Sequence, residues 1–128
     1  MIVADASAVV DLLLDRPNGA ALERALARHP VAHAPHLIDP EVLQALRRLT
    51  LHGGLAEWRA RGALTDFATL PIVRHAHAPL QSRVWALRDR FTAYDASYVA
   101  LAEVFEAEFV TTDAALARSA KGLVAVAE

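Results

Sequence analysis

The sequence predicts an α/β sandwich with a central, mostly parallel sheet. Short apolar runs of strand length alternate with amphipathic helical stretches along the whole chain, which is the pattern of such sheets. No repeat, linker or low-complexity stretch interrupts the alternation. At 128 residues and 55% hydrophobic, the chain has material for one core, so residues 1–128 read as a single domain.

The elements follow in order. Ile2-Val3-Ala4 is a short apolar strand ending at Asp5. Residues 7–14 place Val9, Val10, Leu13 and Leu14 at helical spacing. Pro17 and Asn18 then mark a turn, and a second helix spans Ala20 to Arg28. A short extended stretch covers Val31 to Ala34. Asp39-Pro40-Glu41 opens a strong helix, with Asp39 in the N-cap position and Pro40 at the first helical position; Gly53-Gly54 closes it. Leu55 to Ala68 is a further amphipathic helix, and Leu70 to Arg74 is a strand whose Pro71 suits an edge. Pro79 starts a helix running to Arg90, and Thr92 starts another running to Phe105. Phe109-Val110-Thr111 is a late strand, Asp113 begins a short helix, and Leu123 to Val126 forms a last strand.

Composition narrows the chemistry. There is no cysteine, which excludes disulfides, thiolate zinc sites and thiol nucleophiles. The N-terminus has neither a basic leader nor a long apolar run, so a signal peptide and a membrane span are not expected, and a cytoplasmic location is. With 13 cationic against 15 acidic side chains the net charge is −2, unlike the basic footprint of a duplex-DNA binder. No Gly-rich phosphate loop, nucleophile elbow or His-Glu-x-x-His motif occurs. Six histidines include His33-x-x-His36 and His75-x-His77; no third ligand stands at a diagnostic distance, and they read as surface residues. Trp58, Trp85, Phe67 and Phe91 read as core or interface, with no sign of a base-stacking platform.

The carboxylates carry more information. Asp5 and Asp113 both stand where a strand ends and a helix begins. Asp95 lies on a helix face with Tyr98, Val99 and Ala102, and Glu41 lies in the first turn of its helix. Taken singly, capping explains each of them: Asp5 and Asp113 as N-caps, Asp95 with Thr92 as a capping box, Glu41 as a complement to a helix dipole. Taken together, two strand-end acids and two inward-facing helix acids on one small sheet repel one another. Such a group persists mainly where a hard cation neutralises it, and oxygen-only ligands indicate Mg²⁺ or Mn²⁺ over zinc.

MIVADAS, HAPHLIDPEVLQALRR, LRDRFTAYDASYVALAE and FVTTDAALARSAKG resemble, nearly end to end, the PIN domains and within them the VapC toxins of type II toxin–antitoxin pairs. The resemblance implies a three-layer α/β/α PIN-like sandwich and a Mg²⁺-dependent endoribonuclease (Mn²⁺ being the alternative ion) whose metal site falls on Asp5, Glu41, Asp95 and Asp113. The family's helix pattern selects Glu41 over the nearby Asp39. Ser7 and Thr111 match hydroxyl positions that support the acids. Arg90 is a departure, standing where these toxins often carry Asn. Also implied are an RNA substrate, a homodimer and a small VapB-like antitoxin whose extended tail reaches the acidic site. The helices around Leu43, Leu55 and Trp58 are candidates for the dimer face. With the four acids set aside, 13 cations face 11 acids, a balance of +2 that suits RNA. Arg47, Arg48, Arg83, Arg88, Arg90 and Arg118 are candidate phosphate contacts. Two other readings stay open: a receiver-type phosphoacceptor domain, whose lysine would have to be Lys121, and a non-catalytic interaction module whose acids are only caps.

Overall fold

A computed structural model describes all of residues 1–128. The strands are β1 (Ile2–Ala4), β2 (Ala32–Pro35), β3 (Ile72–His75) and β4 (Glu108–Val110), and the helices are α1 (Ala6–Leu13), α2 (Ala20–Arg28), α3 (Ile38–His52), α4 (Glu57–Thr69), α5 (Gln81–Ala86), α6 (Ala93–Phe105) and α7 (Ala114–Ala120). The four strands form one sheet in the order β3-β2-β1-β4, and every pairing is parallel. Helices flank this sheet to give the three-layer α/β/α sandwich. The chain steps from β1 to β2 to β3 in one direction and then crosses back to β4 on the other side of β1. Right-handed crossovers therefore put α1–α4 on one face and α5–α6 on the other. In agreement, α1 packs with α2, α3 and α4, while α6 lies against β1, β2 and β4. The reversal of direction at β1 is a topological switch point, the place where such sheets leave a crevice beyond their carboxyl ends.

The core explains why β1 and α6 have the sequences they do. Ile2, Val3 and Ala4 are completely buried, as a strand covered on both faces requires. In α6 every residue from Ala96 to Ala102 is buried; alanines at 96, 100 and 102 let this helix press close to the sheet. Tyr98 of α6 and Phe109 of β4 are the largest fully buried side chains. At Gly19 an added Cβ would meet the Asp11 carbonyl oxygen at 2.6 Å, so the short 3₁₀ turn at Pro17–Gly19 sits against α1 only because position 19 has no side chain.

Several elements differ from the sequence reading, each for a physical reason. The helix expected from Pro79 to Arg90 is broken: a 3₁₀ turn at Ala78–Leu80 leads into α5, which stops at Ala86. Asp39 is not an N-cap, because α3 already begins at Ile38. Asp39 instead accepts two hydrogen bonds from the Arg74 guanidinium, at 2.7 and 2.8 Å. The expected strand at Leu123–Val126 contributes only a single bridge, Val126 to Phe109. β1 is thus interior, while β4 is an edge strand apart from that bridge. Pro71 does precede an edge strand, β3, where its missing N–H costs no ladder bond.

Candidate active site

Asp5 leaves the carboxyl end of β1 and caps α1. Its Oδ1 accepts from the Ala8 amide at 3.0 Å and from the Ser7 hydroxyl at 2.6 Å. Its Oδ2 accepts from the Thr111 hydroxyl at 2.6 Å. Ser7 Oγ in turn accepts from the Thr112 amide at 3.0 Å, and Thr111 Oγ1 accepts from the Asp113 amide at 3.1 Å. The ends of β1 and β4 are thereby stitched together through one carboxylate, to which the Ser7 and Thr111 hydroxyls both donate. A carboxylate offers about four acceptor positions; three are occupied, which leaves Asp5 one lone pair for another partner.

Asp113 caps α7 through Oδ1, which accepts from the Leu116 amide at 3.1 Å. Thr92 caps α6 by accepting from the Asp95 amide at 3.1 Å. Capping and a site role are therefore compatible: at α1 and α7 the caps fix where the Asp5 and Asp113 carboxylates point. Glu41, one turn into α3, accepts at Oε1 from the Tyr98 hydroxyl at 2.6 Å. Tyr98 was legible only as a member of the Asp95 helix face. Its role as the residue that orients Glu41 depends on a contact spanning 57 positions.

All four acids line one cavity of about 510 Å³ with Ser7, Gln44, Arg48, Tyr94 and Tyr98. Glu41, Gln44 and Arg48 share the α3 face that looks into it, at spacings of three and four. No sulfur and no imidazole lies in the wall, and no salt bridge neutralises any of the four acids. Their electrostatics register the crowding. Burial raises the Asp5 carboxyl to about 6; the Ser7, Thr111 and Ala8 hydrogen bonds oppose the rise, and the charge of Asp95 adds to it. Asp95 is raised by burial and then by Asp113. Glu41 is raised by burial and by Asp95, against the Tyr98 hydrogen bond. Burial and the bond to Glu41 push the Tyr98 hydroxyl far up, so it stays a donor.

This donor set fits a hard divalent cation, which would relieve the mutual repulsion. It is not a closed cage, since no three acidic or imidazole side chains draw together tightly enough to hold an ion unaided. An ion here needs water or substrate oxygens for its remaining positions, as Mg²⁺ habitually does.

The other candidates fall outside the cavity. Of the six arginines singled out, only Arg48 lines it. Arg83 is held by Glu103 at 2.8 and 2.9 Å. Arg90 donates to the Ser119 carbonyl at 2.6 Å and lies over Phe91, so its place in the molecule is a tie to the end of α7. Lys121 lies 3.9 Å from Glu128, away from the acids, which leaves the phosphoacceptor reading without its lysine. The histidines are not simply surface residues. His33 Nδ1 and His75 Nε2 lie 2.9 Å apart across β2 and β3, with both rings tilted against Phe105, and His77 Nε2 accepts from the Leu37 amide. Phe67 and Phe91 are buried as expected, but Trp58 and Trp85 stand 75% and 69% exposed.

The known proteins that this chain is similar to agree on one family. The model of the PIN domain matches residues 2–122. Ribonuclease VapC1 of Mycobacterium tuberculosis H37Rv is 43% identical over 122 residues, covering 94% of this chain and 91% of the relative. Ribonuclease VapC12 of the same organism is 39% identical over 119 residues, covering 93% and 92%. Among solved structures, the crystal structure of PAE2754 from Pyrobaculum aerophilum superposes with a TM-score of 0.70 at 26% identity, covering 98% of this chain and 83% of that one.

Proposed function

As a member of the PIN-domain family and of its VapC ribonuclease branch, the chain is a nuclease, and we propose that it acts as the Mg²⁺-dependent endoribonuclease toxin of a toxin–antitoxin pair, with Mn²⁺ able to substitute. The observation that carries this reading is the meeting of Asp5, Glu41, Asp95 and Asp113 in one cavity beyond the ends of β1 and β4, with Arg48 on the wall. When bound, a divalent cation supplies Lewis-acid polarisation of the scissile phosphate and an acidified water. The chain supplies the rest. Asp5 is the fixed point, held by two hydroxyls and an amide. Asp95 and Asp113 face it from α6 and from the end of β4, and Glu41 is aimed by Tyr98. Arg48, which makes no internal hydrogen bond or ion pair, is free to hold a neighbouring phosphate. No side-chain nucleophile is required.

The exposed apolar residues Leu43, Leu51 and Trp58 on α3 and α4 support a homodimer through that face, which sedimentation of the parent and of Trp58→Glu tests. A VapB-like antitoxin is the expected inhibitor, its tail covering the acidic cavity. Incubating purified protein with structured RNA tests the chemistry: cleavage in Mg²⁺ that stops in EDTA and in Asp95→Asn supports it, while equal cleavage by that variant refutes the site. Growth arrest on expression, relieved by co-expressing a small partner, tests the toxin role.

A further inference from the structure

Beside the acidic cavity lies a second hollow of about 280 Å³ between α5 and α6, lined mainly by apolar atoms. The two share Leu37 and Tyr94 in their walls, so they are immediate neighbours. Its walls carry two aromatic rings that the fold leaves in water, Trp85 at 69% and Tyr94 at 61% exposure. Exposed rings of this size so close to a polar cleft mark a surface meant to be covered.

The polar groups in the hollow are few and unspent. The Gln81 side chain makes no hydrogen bond within the molecule, so its amide keeps both donors and its acceptor. His77 accepts from the Leu37 amide at Nε2, which places its own proton on Nδ1 and leaves that N–H free to donate. The Arg88 guanidinium sits 4.8 Å from the Trp85 ring centroid, so positive charge lies over one face of that ring.

We propose that this groove holds one unpaired nucleobase of the RNA substrate, stacked on Trp85 and Tyr94 and read along its edge by Gln81 and His77, while the adjoining phosphate lies over the acids. The assignment rests on the nuclease reading above and deepens it. Flat aromatic faces with a sparse donor and acceptor set suit a base, and adjacency to the phosphodiester site makes the base that of a nucleotide beside the cut. Sequence spacing does not disclose it, because Trp85 and Tyr94 come to line one hollow only through the break between α5 and α6.

The test is steady-state cleavage, in Mg²⁺, of a short single-stranded RNA and of the same strand with an abasic position walked along it. Trp85→Ala and Tyr94→Ala should each raise KM about tenfold or more, the scale of one lost stacking contact, with a much smaller change in kcat. Trp85→Phe should restore most of the loss. Both side chains are largely exposed, so melting temperatures should match the parent. One abasic position should penalise the parent as Trp85→Ala does, and should add nothing in that variant. Unchanged KM, or an abasic penalty of equal size in Trp85→Ala, overturns the proposal while leaving the nuclease reading intact. So does loss of antitoxin inhibition with RNA cleavage unaffected, which gives the groove to a protein partner. Absence of any RNA cleavage by the parent removes both readings.

Discussion

Along one rim of the sheet, the half formed by β2 and β3 has matched its charges internally, and the half formed by β1 and β4 has not. At β3, Arg74 is paired with Asp39 at 2.7 Å, and His75 meets His33 at 2.9 Å. At β1 and β4, four acids share a cavity and no cation bridges any of them. Asp5 is buried there with hydroxyls and an amide for company, and its carboxyl is raised to about 6. A fold selected only for stability would not retain the second arrangement beside the first. The contrast separates the part of the rim that holds the molecule together from the part where we propose the reaction takes place.

The largest effect should come from breaking the unmatched half. Asp5→Ala, Asp95→Asn and Asp113→Asn are each expected to lower RNA cleavage by about 10²-fold to 10³-fold or more, the scale of losing one preorganised charged group, measured as initial rate at saturating Mg²⁺. Arg74→Ala should cleave at the parental rate, which a rate within error of the parent confirms.

Next in size is the pH dependence of the metal-free protein. The folded protein keeps the Asp5 proton up to about 6, against 3.8 for the ordinary carboxyl. Its contribution to stability is therefore full below 3.8 and is lost as pH rises through 6, by on the order of 3 kcal/mol at 1.36 kcal/mol per tenfold change. Thermal melts in EDTA should thus fall between pH 4.5 and 7 through this group. Added Mg²⁺ should recover stability at pH 7, because an ion that binds only the folded state stabilises it.

The matched half should respond more weakly and with the opposite sign. Removing the Arg74–Asp39 pair, partly exposed at 29% and 41%, should cost about 1 kcal/mol or less in denaturant unfolding. His33 is held below its ordinary value of 6.5 by burial, by His75 and by the N-terminus. Its contribution is present above 6.5 and is lost as pH falls. His33→Leu should therefore flatten the acid side of the melting profile and leave the Asp5 limb unchanged.

What the sequence disclosed follows from the range of the interactions involved. Asp5 and Asp113 were legible because a strand end followed by a helix cap is local, three residues wide at each site. The α/β alternation and the helix from Ala20 to Arg28 were legible for the same reason. Glu41 was separated from Asp39 only by family resemblance; physically the separation comes from Arg74, 35 residues away, which draws Asp39 aside. The pairing of His33 with His75 and of Tyr98 with Glu41 spans 42 and 57 positions and leaves no periodic trace. Helical spacing reads Trp85 as core or interface alike, and only its exposure of 69% removes it from the core.

The central claim is that the four acids act together as one cation site. Calorimetric titration of Mn²⁺ into metal-free protein at pH 7 tests it most directly, with the parent, Asp5→Asn, Asp95→Asn and Arg74→Ala compared. Binding is expected for the parent and for Arg74→Ala, with affinity lower by about tenfold or more in each of the two acid variants. Equal affinity in all four proteins, or no binding by the parent, would contradict it.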